Sequence, residues 1–122
     1  MASLVIITGE NAGNHYHLTN RPLTAGRDPA RDIQLIDPKV SRKHFQIRKD
    51  GDGYILVEMK SRNGVYVNGE KVSEKPLVDG DEIQAGDTVL RYYESDIGDR
   101  TDALHKYKRA TPELREDQTI RE

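Results

Sequence analysis

The sequence predicts an all-β fold, a sandwich of two twisted, mostly antiparallel sheets, and three observations predict it. Short runs rich in Val, Ile, Leu and Tyr recur from Leu4 to Glu94. Several alternate apolar and polar side chains with the two-residue period of a half-buried strand. Gly, Pro, Asn and Asp punctuate the runs so closely that many short strands result, which is the pattern of two stacked sheets.

In chain order, the candidate strands begin with Leu4–Thr8, Tyr16–Thr19, Leu23–Gly26 and Ile33–Leu35. Phe45–Lys49 follows, with Phe45 and Ile47 on one face and Gln46 and Arg48 on the other. Tyr54–Glu58 is joined to it by Lys49-Asp50-Gly51-Asp52-Gly53, a hairpin signal because Asp-Gly tolerates positive φ. Val65–Val67 and Lys71–Val72 flank Asn68-Gly69, a second hairpin signal of the same kind. Glu82–Gln84 and Thr88–Glu94 complete the body.

Composition changes near Ser95. From there to Glu122 charges of both signs alternate with few apolar residues, so residues 1–94 are expected to form the domain and 95–122 a charged, flexible tail. Within the tail, 102–109 reads as a short helix capped by Thr101 and ended by Thr111-Pro112.

Charged residues make up 33% of the chain at a net charge of −2, so no global basic field favours nucleic acid. The absence of cysteine removes disulfide scaffolds and Cys-based zinc sites and suits a reducing compartment. The apolar run after Met1 has no basic flank and is too short for a signal peptide, and no stretch reaches membrane-span length. A soluble, cytoplasmic protein is expected, with a nuclear location left open. His15 and His17 share a face if their segment is a strand, but no further ligands accompany them at known spacing, so neither metal nor cofactor is expected.

Three fragments stand where strand-like runs meet turns: Gly26-Arg27, Ser41-Arg42-Lys43-His44 and Ser61-Arg62-Asn63-Gly64. They bring guanidinium, hydroxyl and amide groups to loops. Arg offers a planar fork of donors matched to phosphate oxygens, Ser a rotatable hydroxyl, and Asn both a donor and an acceptor for an extended peptide. The set suits a doubly charged phosphate on a peptide. It gives no route to covalent chemistry, since no nucleophile elbow or oxyanion-hole pattern accompanies Ser41 and His44.

The order and spacing of these fragments resemble the forkhead-associated (FHA) domain, a non-catalytic reader of phosphothreonine. The similarity runs from about Leu4 to Tyr93 and rests on Gly-Arg, Ser-x-x-His and Asn-Gly, followed by Asn68-Gly69. It implies a sandwich with the fragments in loops at one end. It assigns phosphate clamping to Arg27, a phosphate contact to the Ser41 hydroxyl and a grip on the ligand main chain to Asn63. The alternative for Arg27 is an exposed ion pair with Asp28 or Asp32, of little energetic weight. Arg42 adds a phosphate contact through backbone or guanidinium. Relatives carry Ser or Thr where Arg62 stands, and this guanidinium reaches either the phosphate or a neighbouring acidic side chain. His44 is read as a buried imidazole that fixes the Ser41 loop, with Gly26, Gly64 and Asn68 shaping the loops around it.

Lys39 matches the place where relatives choose the residue three positions after the phosphothreonine, where a cation would favour Asp or Glu. Its alternative is a solvated lysine after Pro38. Thr119 precedes Glu122 by that spacing, and Thr111-Pro112 resembles a proline-directed kinase site, which makes both threonines candidate phosphosites. A flexible tail of that length has a typical span of roughly 27 Å, enough to bring phosphorylated Thr119 back to its own domain, in cis, or to a neighbour's, in trans. The expected partners are therefore a phosphothreonine-containing protein or peptide and the chain's own tail, without nucleic acid or membrane. A scaffold of the same fold that binds protein without reading phosphate is the competing reading.

Overall fold

The computed structural model describes residues 2–94. The tail, with its expected helix at 102–109 and the candidate phosphosites Thr111 and Thr119, lies outside the described residues.

Eleven strands run in chain order: β1 (Ala2–Ile6), β2 (His15–Leu18), β3 (Leu23–Gly26), β4 (Ile33–Gln34), β5 (Phe45–Asp50), β6 (Gly53–Glu58), β7 (Val65–Val67), β8 (Glu70–Val72), β9 (Glu74–Pro76), β10 (Glu82–Ala85) and β11 (Thr88–Tyr93). They form a six-stranded sheet ordered β2-β1-β11-β10-β7-β8 and a five-stranded sheet ordered β4-β3-β5-β6-β9. Every described pairing is antiparallel except β3 with β4.

The predicted runs coincide with ten of these strands to within one or two residues at their ends. β9 is the addition. Glu74-Lys75-Pro76 carries charges and a proline, and it pairs on one side only, with β6 at the sheet edge. A proline survives there because an edge strand leaves half of its N–H groups without a ladder partner to lose.

Alternation builds the core. Along β11 Thr88, Leu90 and Tyr92 turn inward while Val89, Arg91 and Tyr93 do not. Leu4, Ile6, Leu35, Phe45, Leu56, Ile83 and Leu90 are fully shielded from solvent between the sheets. A smaller cluster of Val5 and Ile7, packed by Val89 and Tyr93, lies beside it. Both predicted hairpins form. The β5–β6 turn passes through Gly51 (φ 61°), and the β7–β8 turn has Asn68 and Gly69 at φ 52° and 87°. Two consecutive positive φ values are what a tight hairpin following the right-handed twist requires. Among the described residues no helix is long and apolar enough to cross a membrane.

One end of the sandwich collects the β3–β4, β4–β5 and β6–β7 loops. The β5–β6 turn sits at the other, with the length of β6 between them.

Candidate functional site

Gly26 ends β3, and its backbone runs against the Ser41-Arg42 segment. Arg27 N–H donates to the Ser41 carbonyl (2.9 Å) and Asp28 N–H to the Arg42 carbonyl (3.4 Å). A Cβ on Gly26 would stand 2.0 Å from the Arg42 carbonyl oxygen, so only glycine permits the approach. Close contact of these two backbones sets Arg27 beside Ser41.

Arg27 Nε donates to the Val40 carbonyl (3.0 Å), which orients the guanidinium and leaves its terminal nitrogens for other acceptors. Its two candidate ion-pair partners are engaged elsewhere. Asp32 binds Arg21 (2.8 Å) and the Thr24 N–H (2.9 Å), and Asp28 accepts from Ala30 N–H (2.9 Å).

His44 is wholly buried and ties two loops together. Its Nδ1 accepts from Ser41 N–H at 3.0 Å, and its Nε2 stands 2.7 Å from the Gly64 carbonyl. A backbone N–H can only donate and a carbonyl only accept, so the ring carries its proton on Nε2. The Ser41 hydroxyl oxygen then accepts from Arg62 N–H (2.9 Å), and Asn63 Nδ2 donates to the Lys39 carbonyl (2.7 Å).

The β6–β7 loop has an anchor to which sequence reading assigned no role. Glu58 accepts from both the N–H and the hydroxyl of Ser61, whose oxygen accepts in turn from Gly64 N–H at 3.0 Å. The Ser61 hydroxyl, working against burial and helped by the N–H groups of Ser61 and Lys60, holds the Glu58 carboxyl below the usual range. Ser-x-x-Gly after a glutamate is the only sequence trace of this arrangement. Asp37 plays a similar part on the facing loop, accepting from Lys39 N–H (2.9 Å), Asp87 N–H (2.8 Å) and the Thr88 hydroxyl (2.9 Å). Burial pushes its carboxyl up, but those bonds and the Lys39 charge overcome the effect and hold it below normal. Asp37 before Pro38 reads in sequence as an ordinary turn residue, and two of its three partners, Asp87 and Thr88, lie about fifty residues away.

The outcome is a cleft of about 330 Å³ lined by Arg27, Lys39, Ser41, Arg42, Arg62 and Asn63. All six predicted binding residues therefore meet at one place. Gly26, His44 and Gly64 lie directly behind them. Asn68 does not join them: it sits at the far end of β7, where Nδ2 donates to Asp81 (2.9 Å) and Oδ1 accepts from Glu82 N–H (3.0 Å). Lys39 Nζ stands 3.3 Å from Asp87, an exposed pair. Arg27, Arg42 and Arg62 have no carboxylate partner among the described residues. Three such guanidiniums make the cleft a local positive field within a slightly acidic chain. A larger cavity of about 660 Å³, between Thr19, Lys49, Tyr54, Tyr92 and Glu94, lies at the opposite end and holds no arginine. His15 and His17 meet edge to face at 5.6 Å, and the described residues contain no group of three or more metal-ligating side chains.

The family model for the FHA domain matches residues 23–86. An oxoglutarate dehydrogenase inhibitor from Corynebacterium jeikeium is 46% identical over 85 residues, covering 70% of this chain and 59% of that protein. The glycogen accumulation regulator GarA from Mycolicibacterium smegmatis is 44% identical over 85 residues, covering 70% of this chain and 54% of that protein. The chain thus spans between half and three fifths of the length of these curated relatives. An FHA domain solved in a study of phosphothreonine-dependent interactions superposes with a TM-score of 0.71 at 32% identity, over 78% of this chain and 97% of that one. The FhaA FHA domain, crystallised with the intracellular domain of another protein, superposes at 0.69 and 33% identity, over 75% and 99% of the two chains. Matched sequence, two-sheet topology and loop geometry agree, and the chain belongs to the FHA domain family, a family of phosphothreonine-peptide-binding modules.

Proposed function

We propose that the loop cleft binds a phosphothreonine-containing segment of a protein partner, and that the domain is a non-catalytic reader in phosphorylation-dependent regulation within the cytoplasm. The convergence of Arg27, Ser41, Arg42, Arg62 and Asn63 on one cleft carries the reading. Each group has bonding capacity left for a ligand. The Arg27 terminal nitrogens face no acid. Ser41 Oγ is an acceptor for Arg62 N–H, so its own proton is available to a phosphate oxygen. Asn63 uses one amide hydrogen on Lys39 and keeps its carbonyl for a peptide N–H.

Phosphorylation converts a neutral hydroxyl into a group of about −1.5 to −2 charges with three strong acceptors. Bonds to charged groups contribute roughly 1.5–3 kcal/mol each, so two or three, less the ordering cost of a flexible peptide, correspond to affinity on the order of micromolar. Isothermal titration of a phosphothreonine peptide is expected to show binding that its unphosphorylated form lacks, and Arg27→Ala is expected to abolish it. A glutamate in place of phosphothreonine, with less charge and fewer oxygens, is expected to bind poorly. Equal heats for the phosphorylated and unphosphorylated peptides would reject the proposal. Partner capture untouched by Arg27→Ala would favour a phosphate-independent scaffold. The Thr119-to-Glu122 spacing supports the chain's own tail as one such ligand, in cis or in trans. Phosphorylating Thr119 would then weaken added peptide at low protein concentration, and unchanged affinity would remove the tail from consideration.

A further inference from the structure

We infer that the cleft on the other side of the 61–64 loop is a second ligand subsite, which selects an acidic side chain on the bound phosphopeptide. The inference rests on the phosphopeptide reading and extends it to residues that no part of that reading uses. Arg62 and Asn63 line the first cleft, whereas Ser61 and Gly64 line a neighbouring one of about 560 Å³ together with Glu58, Lys60, Lys71 and Ser73. A peptide that crosses this short loop advances about 3.3 Å per residue, so a side chain a few positions from the phosphothreonine reaches the second cleft.

Charge decides what it would hold. Glu58, the one carboxylate in the lining, is already occupied as the loop anchor, accepting from the Ser61 hydroxyl and from the N–H groups of Ser61 and Lys60. Neither Lys60 nor Lys71 has a carboxylate partner among the described residues. Two ammonium groups thus face one satisfied anion. Lys39, the lysine at the first cleft, differs because Asp87 already engages it.

Both lysines line the cleft. Lys60 has φ 56°, a conformation uncommon for a residue with a long side chain, and such backbones concentrate at ligand-binding loops. The Lys71 stem lies across Gly64, with Cε 2.8 Å and Nζ 3.6 Å from where a Cβ would be. Glycine at 64 therefore leaves room for the ammonium beside the loop that carries Asn63.

The test scans Glu against Gln at each position flanking the phosphothreonine, with titration at low ionic strength, where exposed charge pairs are least screened. At one position Glu is expected to bind about five- to tenfold tighter, within what two partly exposed pairs supply. Lys60→Gly removes the charge and keeps the left-handed backbone, and Lys71→Met removes the charge and keeps the stem over Gly64. Each should lower that preference, the double variant should erase it, and affinity for the Gln peptide should hold. Lys71→Arg should retain it. A Glu preference at that position that survives in the double variant, no preference at any position, or a preference for Gln would overturn the subsite while leaving phosphate-dependent binding intact. Loss of phosphate dependence in the unsubstituted domain would overturn both.

Discussion

Replacing His44 tests how the cleft is held open, because this ring touches both sides of it from behind and does not line it. Its Nδ1 holds Ser41 N–H at 3.0 Å and its Nε2 holds the Gly64 carbonyl at 2.7 Å. His44→Ala leaves that donor and that acceptor without partners, at about 1–3 kcal/mol each. The vacated ring volume adds to the loss, since a packed interior relaxes only partly. The two unpaired groups alone cost roughly 2–6 kcal/mol, and in a domain of this size each kcal/mol moves Tm by about 4–8 °C. Calorimetry should therefore show Tm lower by roughly 10 °C or more. Titration with a phosphothreonine peptide, at a temperature where the variant remains folded, should show at least about a tenfold loss, since Ser41 and Asn63 are no longer held in one geometry. His44→Gln supplies one donor and one acceptor on a longer chain and should fall between the two. A Tm within a few degrees of the parent would refute the bonding argument. A large Tm loss with unchanged affinity would show that the loops keep their spacing without this tie.

Further outcomes follow from other positions. Gly26→Ala places a Cβ against the Arg42 carbonyl oxygen with no rotamer to escape into, so a loss of about 3 kcal/mol or more in urea unfolding is expected. Asp37, Glu58 and Asp81 are all held below their ordinary values. For Asp81, burial pushes the carboxyl up, and bonds from Val78 N–H, Asn68 and Lys75 more than reverse it. A carboxyl depressed in the folded state is protonated first in the unfolded chain, so its contribution is complete above the ordinary values, 3.8 for Asp and 4.5 for Glu, and is lost as pH falls through the folded ones. The urea midpoint should accordingly decline below about pH 5, and Asp37→Asn should make that decline shallower. Asn68→Gly keeps the turn but removes the two bonds to Asp81 and Glu82, so stability should drop by about 1–2 kcal/mol while phosphopeptide affinity stays the same.

Ten of the eleven strands were legible in the sequence because alternation and turn chemistry are local properties, written within a few consecutive residues. The exception has a physical cause: Glu74-Lys75-Pro76 lacks any apolar period and becomes a strand only because β6 has a free edge to pair with. The functional residues were legible as types, since Arg, Ser and Asn in loops advertise donors whatever the fold around them. Their supports were not. Glu58 reads as the end of a strand and Asp37 as a turn residue. Neither signals that its carboxylate anchors a loop, as this depends on which N–H groups the fold brings to it.

Local chemistry in the chain was thus enough to specify the β-sandwich, its hairpins and the inventory of phosphate-binding groups. Tertiary structure alone decided that Arg27, Ser41 and Asn63 share one cleft while Asn68 stands apart. It also decided that Glu58 is spent on Ser61, leaving Lys60 and Lys71 beside the second cleft without an acid partner. The reason is that the bonds deciding these matters, such as Asn63 to a carbonyl 24 residues earlier and His44 to one 20 residues later, exist only after two sheets have packed and brought their loops together.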